Sequence, residues 1–112
     1  MKIVFTAKGN DWNSLIDERF GRAEKLVVFD EESNNFEVIE NDTESMEHGA
    51  GLQTIKKVID LGVDVVITGN GAGAKITDVA KMSNIKFFIG ANGMTLKEAY
   101  EAFKNGKLEE QF

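Results

Sequence analysis

The chain has one histidine, His48, directly before Gly49-Ala50-Gly51 and the amphipathic run from Leu52 to Leu61. The imidazole therefore stands at the mouth of a helix. A helix start presents unpaired backbone N–H groups and a partial positive charge, and neutral imidazole is a common metal ligand. Together they suit an anionic, metal-containing guest. The plainer alternative is an exposed polar residue leading into a helix, because a motif as short as His-Gly-x-Gly recurs by chance. Ligation requires the neutral ring, so binding through His48 would weaken as acid protonates it.

A second candidate is the turn Gly69-Asn70-Gly71-Ala72-Gly73, which follows a strand and opens a helix. Gly69-x-Gly71-x-x-Ala74 satisfies a relaxed dinucleotide fingerprint, but Ile89 to Gly93 holds no ribose-binding acid about 20 residues on. The Gly-Lys-Ser/Thr ending of a phosphate loop is also missing. What remains is backbone that lets a guest approach closely, or a tight strand-to-helix turn. Arg19, Arg22 and Lys25 surround Phe20-Gly21 and offer positive charge to an anion, or pair with Glu18 and Glu24. Arg22, next to a glycine, is the better functional candidate of the three. Trp12 is read as closing the core rather than covering a guest. Met46 offers a thioether near His48, or packs on the first turn of the following helix.

Several chemistries are excluded. With no cysteine, the chain forms no disulfide, no Cys-ligated zinc site and no iron-sulfur cluster on its own thiolates. Two-metal hydrolysis needs converging carboxylates, yet Lys2 to Ala7 contains none and Asp64 lies at the wrong end of its strand. His48 has no identifiable nucleophile partner for acyl transfer. A net charge of -6 gives no general basic field for nucleic acid, and no apolar stretch approaches the roughly 20 residues needed to cross a bilayer. The expectation is a cytoplasmic binding protein rather than an enzyme, without nucleic-acid or membrane partners.

The elements that position these residues follow from periodicity. Lys2 to Ala7, Lys25 to Asp30 and Phe36 to Glu40 read as strands, the last two as a hairpin. Ser14 followed by Asp17 suggests a short capped helix, and Asn41 to Glu47 a loop able to move. Leu52, Ile55, Val58 and Ile59 share one face of a helix that Gly62 ends. Val63 to Thr68 is a central strand, Ile76, Val79 and Ala80 face inward from the next helix, and Ile85 to Ile89 is a strand. Thr95 caps a last helix carrying Leu96, Ala99, Tyr100 and Phe103 inward. At 112 residues the chain is a single domain, 1–112.

The order β-β-β-α-β-α-β-α calls for an α/β fold with a mixed sheet. Hairpins set strand two antiparallel to its neighbours, and right-handed crossovers make strands four and five parallel to strand one. A three-layer, ribonuclease H-like arrangement with five strands ordered 3-2-1-4-5 and about three helices satisfies these constraints. Asn10 to Trp12, His48 to Gly51, Gly69 to Gly73 and Gly90 to Gly93 then meet at one sheet edge.

Glu18-Arg19-Phe20-Gly21-Arg22-Ala23, His48-Gly49-Ala50-Gly51, Gly62 through Asn70 and Gly90-Ala91-Asn92-Gly93 occur in an order and spacing that resembles the dinitrogenase iron-molybdenum cofactor biosynthesis family. The resemblance spans nearly the whole sequence and implies a ribonuclease H-like fold. It further implies a non-enzymatic carrier or holder of an iron-molybdenum cofactor, its iron-sulfur precursor or a related metallocluster, working with a cofactor-assembly or acceptor protein. By motif position it makes His48 the cluster ligand, with Gly49, Gly51, Phe20, Gly21, Arg22, Gly69 and Asn70 as the surrounding site. The competing function is a small phosphate- or nucleotide-binding enzyme that uses the Gly69 to Gly73 turn.

Overall fold

The computed structural model describes residues 1–112. In chain order the elements are β1 Lys2–Ala7, β2 Lys25–Asp30, β3 Asn35–Glu40, α1 Ala50–Asp60, β4 Val65–Ile67, α2 Ala74–Met82, β5 Lys86–Ile89, α3 Leu96–Lys104 and β6 Glu109–Glu110. The strands form one mixed sheet ordered β3-β2-β1-β4-β5-β6. β2 is antiparallel to β1 and β3, while β1, β4 and β5 are parallel, as the crossovers require. No helix is long and apolar enough to cross a membrane.

The alternation of β1 divides the interior into two layers. Ile3, Phe5 and Ala7 face the side covered by α3, and Val4 faces the side covered by α1 and α2. Every residue from Ile3 to Ala7 is buried because both faces of this central strand are covered. β3 is an edge strand, and its glutamates Glu37 and Glu40 are exposed, which discourages pairing with another chain. Trp12 closes the core, as expected: its ring centroid lies 5.0 Å from Phe29, 5.1 Å from Phe36 and 5.8 Å from both Phe5 and Tyr100. That cluster is under α3, so Trp12 does not cover the α1 side.

Three expectations need correction. Leu52, expected on one face of α1 with Ile55 and Val58, is 41% exposed, and Thr54 is buried beside Ile55 and Val58 instead. The sheet has a sixth strand, β6, antiparallel to β5 through Phe88↔Glu110 and Ile89↔Glu109. Its two exposed acids carry no apolar alternation, so periodicity had nothing to register. The segment from Ser14 to Asp17 is extended rather than helical, bridging Ala7↔Ile16 and Leu15↔Thr95. Ser14 instead helps close a turn with Asp11, whose carboxylate accepts from the Asn13 N–H at 2.9 Å. Asp64, at the far end of β4 as expected, accepts from the Lys2 N–H at 2.9 Å.

Candidate functional site

The segment from Asp17 to Ala23 organises the sheet edge. Asp17 is 1% exposed, and its carboxylate accepts two bonds from the Arg19 guanidinium and one each from the Arg19 and Glu24 N–H groups. Burial opposes its ionisation, but the Arg19 side chain and these N–H groups outweigh that and hold the carboxyl below its ordinary range. Thr6 Oγ1 lies 2.7 Å from both the Asp17 carbonyl oxygen and Thr68 Oγ1, tying the segment to β1 and to the end of β4. Asp17 was missed from the sequence. An acid two residues before a turn N–H is an Asx-turn signal, but next to Ser14 the same acid also fits the first turn of a short capped helix.

Gly21 meets the start of α1. A Cβ there would fall 2.9 Å from both Cα and N of Gly51, so this approach admits only glycine. The Gly21 carbonyl accepts from the Thr43 and Thr54 hydroxyls at 2.5 and 2.8 Å. Buried Asn41 donates through Nδ2 to the Ala23 carbonyl at 3.0 Å and lies 2.9 and 3.1 Å from the Thr43 and Thr54 hydroxyls. Lys57 donates to the Asn41 backbone carbonyl and side-chain oxygen. The first half of the Asn41 to Glu47 loop is therefore anchored: the Asn41 and Thr43 side chains turn inward while Asp42 and Glu44 stay exposed, an alternation that polarity alone does not reveal.

Arg22 works within the same strap. Its Nη1 donates to the Thr43 and Glu44 carbonyls at 3.4 and 3.0 Å, fixing the segment that leads to His48. Arg19 pairs with Asp17 and Glu44 and Lys25 with Glu40, instead of with Glu18 and Glu24. A guanidinium has five N–H donors, so Arg22 keeps donors and charge beyond these two bonds.

His48 is exposed, and its ring makes no hydrogen bond within the chain. Gly49 follows in the left-handed region at φ +76°, as the N-cap of α1, with no side-chain cap and no acid in the first turn. α2 likewise starts from a glycine, Gly73, with neither cap nor acid, whereas α3 carries a full Thr95–Glu98 capping box. The first turns of α1 and α2 touch, because a Cβ at Gly51 would sit 3.2 Å from the Ile76 side chain. Two helix starts with no acid in the first turn thus lie side by side, and His48 immediately precedes the N-cap of the first, an arrangement that favours negative charge.

Gly69 is buried against the neighbouring segment: a Cβ would fall 2.8 Å from Cα of Glu18 and 3.0 Å from Oδ1 of Asn92. The Asn70 N–H donates to the Glu18 carbonyl at 2.9 Å, and its side chain accepts from Asn92 Nδ2 at 2.7 Å. Gly69 and Asn70 are therefore joined to the Phe20 segment on one side and to the Gly90 loop on the other. Phe20 itself is 2% exposed with its ring 5.0 Å from Phe87, so its side chain serves the core beneath the site. The structure brings together Gly21, Arg22, Gly49 and Gly51, with Gly69 and Asn70 adjacent through Glu18.

Nowhere do three or more His, Cys, Asp or Glu residues converge as a metal-ion site. With one imidazole, helix-start N–H groups and no thiolate, the donor set does not suit a bare metal ion. It does suit a preformed cluster that brings its own sulfides. A cavity of about 580 Å³ lies beside the Asn41 to Glu47 loop; its lining holds Lys25, paired with Glu40, and the further acids Glu24, Asp42 and Glu44, so its net charge is negative and opposes an anionic guest.

A family model described as dinitrogenase iron-molybdenum cofactor matches residues 1–106. An uncharacterized protein of Methanocaldococcus jannaschii is 32% identical over 100 residues, covering 87% of this chain and 83% of that one. The apo form of the orange protein from Desulfovibrio gigas superposes with a TM-score of 0.90 at 30% identity, over 97% of this chain and 91% of its own. A putative NifB protein from Thermotoga superposes with a TM-score of 0.82 at 33% identity and the same coverage.

Proposed function

The chain belongs to the dinitrogenase iron-molybdenum cofactor family, and from that premise we propose that it is a non-enzymatic carrier of a preformed metallocluster, the iron-molybdenum cofactor or an iron-sulfur precursor. The observation that carries this reading is the pairing of His48 with two adjacent, uncapped helix starts at one sheet edge. His48 supplies a single ligand. The N–H groups around Gly49 to Gly51 and at the start of α2 stabilise the cluster's negative charge, and Arg22 holds the approach to His48 while adding positive charge nearby. Gly21 and Gly69 keep the surrounding backbone close enough to form one continuous rim. One exchangeable imidazole with no thiolate suits cargo that must be released, so the partner is a cofactor-assembly or acceptor protein that offers additional ligands.

The glycines of the Gly69 to Gly73 turn have packing reasons at Gly69 and Gly71, which removes the main support for a nucleotide-binding enzyme. Anaerobic titration of the chain and of His48→Ala with isolated iron-molybdenum cofactor, followed by gel filtration, separates the readings. Co-migration of the cofactor that requires His48 is expected. Failure of the unmodified chain to retain it, together with protection by nucleotides, would overturn the proposal in favour of the enzyme.

A further inference from the structure

The residues after α3 return to the site by a route that the motifs do not include. Gln111 donates its N–H to the Phe87 carbonyl at 2.8 Å, extending the β6 pairing by one step. Its side-chain amide then makes a reciprocal pair with the backbone of Ala72: Nε2 donates to the Ala72 carbonyl at 2.7 Å, and Oε1 accepts from the Ala72 N–H at 3.2 Å. Both polar groups of one residue in the Gly69 to Gly73 turn are thus satisfied by one side chain. Gly71 makes room for it, since its φ is +83° and a Cβ would fall 2.6 Å from Gln111 Oε1. Phe112 packs on Phe87, with ring centroids 5.7 Å apart, and Phe87 is also the seat of Phe20.

We propose that Gln111 is a positioning residue for the guest site: its amide fixes the Ala72 backbone and so sets the turn from which α2 starts. This rests on the carrier reading above and adds a determinant outside residues 1–106, where the family match lies. A turn held by two hydrogen bonds is ordered before the guest arrives, so ordering it is not subtracted from the binding free energy. The residue acts through Ala72 and does not touch the guest.

Gln111→Met keeps the length of the side chain and removes both hydrogen bonds. Two readouts test it. Amide exchange at Ala72 is expected to quicken by about tenfold or more while exchange in β1 is unchanged, a local loosening without loss of the core. Affinity for isolated iron-molybdenum cofactor is expected to weaken roughly threefold to tenfold, with His48 intact. Unchanged exchange at Ala72 would overturn the positioning role, as would quickened exchange with equal or tighter cofactor binding. Absence of binding by the unmodified chain would overturn the carrier reading, and the positioning role with it.

Discussion

Gly21→Ala puts the contact between the Phe20 segment and α1 under direct load. The added methyl would lie 2.9 Å from two backbone atoms of Gly51, and reaching an ordinary 3.4 Å or more requires a shift of at least about half an ångström. Neither neighbour is a flexible side chain, so α1 must move as a body. Thr54 lies on that helix, and its 2.8 Å bond to the Gly21 carbonyl lengthens with the same movement. Overpacking costs about 1–3 kcal/mol and the weakened bond part of ~1 kcal/mol, against ~0.5–1 kcal/mol recovered from a stiffer unfolded chain. The net expectation is a loss of about 2 kcal/mol, or roughly 8–12 °C in Tm for a domain of this size. Gly51→Ala is the internal control on the other side of the contact. Its methyl meets only the Ile76 side chain at 3.2 Å, which can turn away, and helix propensity returns up to ~1 kcal/mol. Urea and thermal melts of both variants should therefore place Gly51→Ala within about 1 kcal/mol of the parent. A Gly21→Ala loss below about 0.5 kcal/mol, or equal losses in the two variants, would refute the close-approach argument.

Asp17 has a depressed folded-state pKa, so its contribution is present above the unfolded value of about 3.9 and is lost as pH falls through the folded value. Asp17→Asn should cost about 1–2 kcal/mol at neutral pH, toward the low end because Arg19 is 44% exposed. It should also flatten the acid limb of a stability-pH profile measured by urea melts; an unchanged limb would refute this. Tyr100 donates to Glu31, and that bond, with burial and the nearby charge, raises the phenol to about 12. Its stabilising contribution is present below the ordinary value of about 10 and is lost as pH rises through 12. Ultraviolet titration should show the Glu31→Gln phenol returning toward about 10. His48→Ala should melt within about 0.5 kcal/mol of the parent, because the ring is exposed and makes no bond within the chain.

The fold was legible because its signals are local. Continuous apolar runs marked β1 and β4 as covered strands, and the Leu52 to Leu61 periodicity and the Thr95 cap marked α1 and α3. β6 was not legible, since Glu109 and Glu110 carry no apolar signal and join β5 through backbone pairing and an exposed Lys86–Glu110 ion pair. At the site, His48 and its helix start could be read from spacing. The reason for Gly21 could not, because it lies in a tertiary approach to Gly51 that no local pattern encodes. Asn41 and Thr43 were obscured in the same way: polar side chains that satisfy a buried carbonyl look, in sequence, like a solvated loop.

The single histidine makes the central claim directly measurable. Protein grown with isotope-labelled histidine carries the label at His48 alone. Loaded anaerobically with isolated iron-molybdenum cofactor, it can be examined by pulsed electron spin resonance. The account predicts a nitrogen coupling to the cluster that changes with the label and is absent in His48→Ala. A cluster that remains bound while its spectrum is indifferent to the label would contradict it.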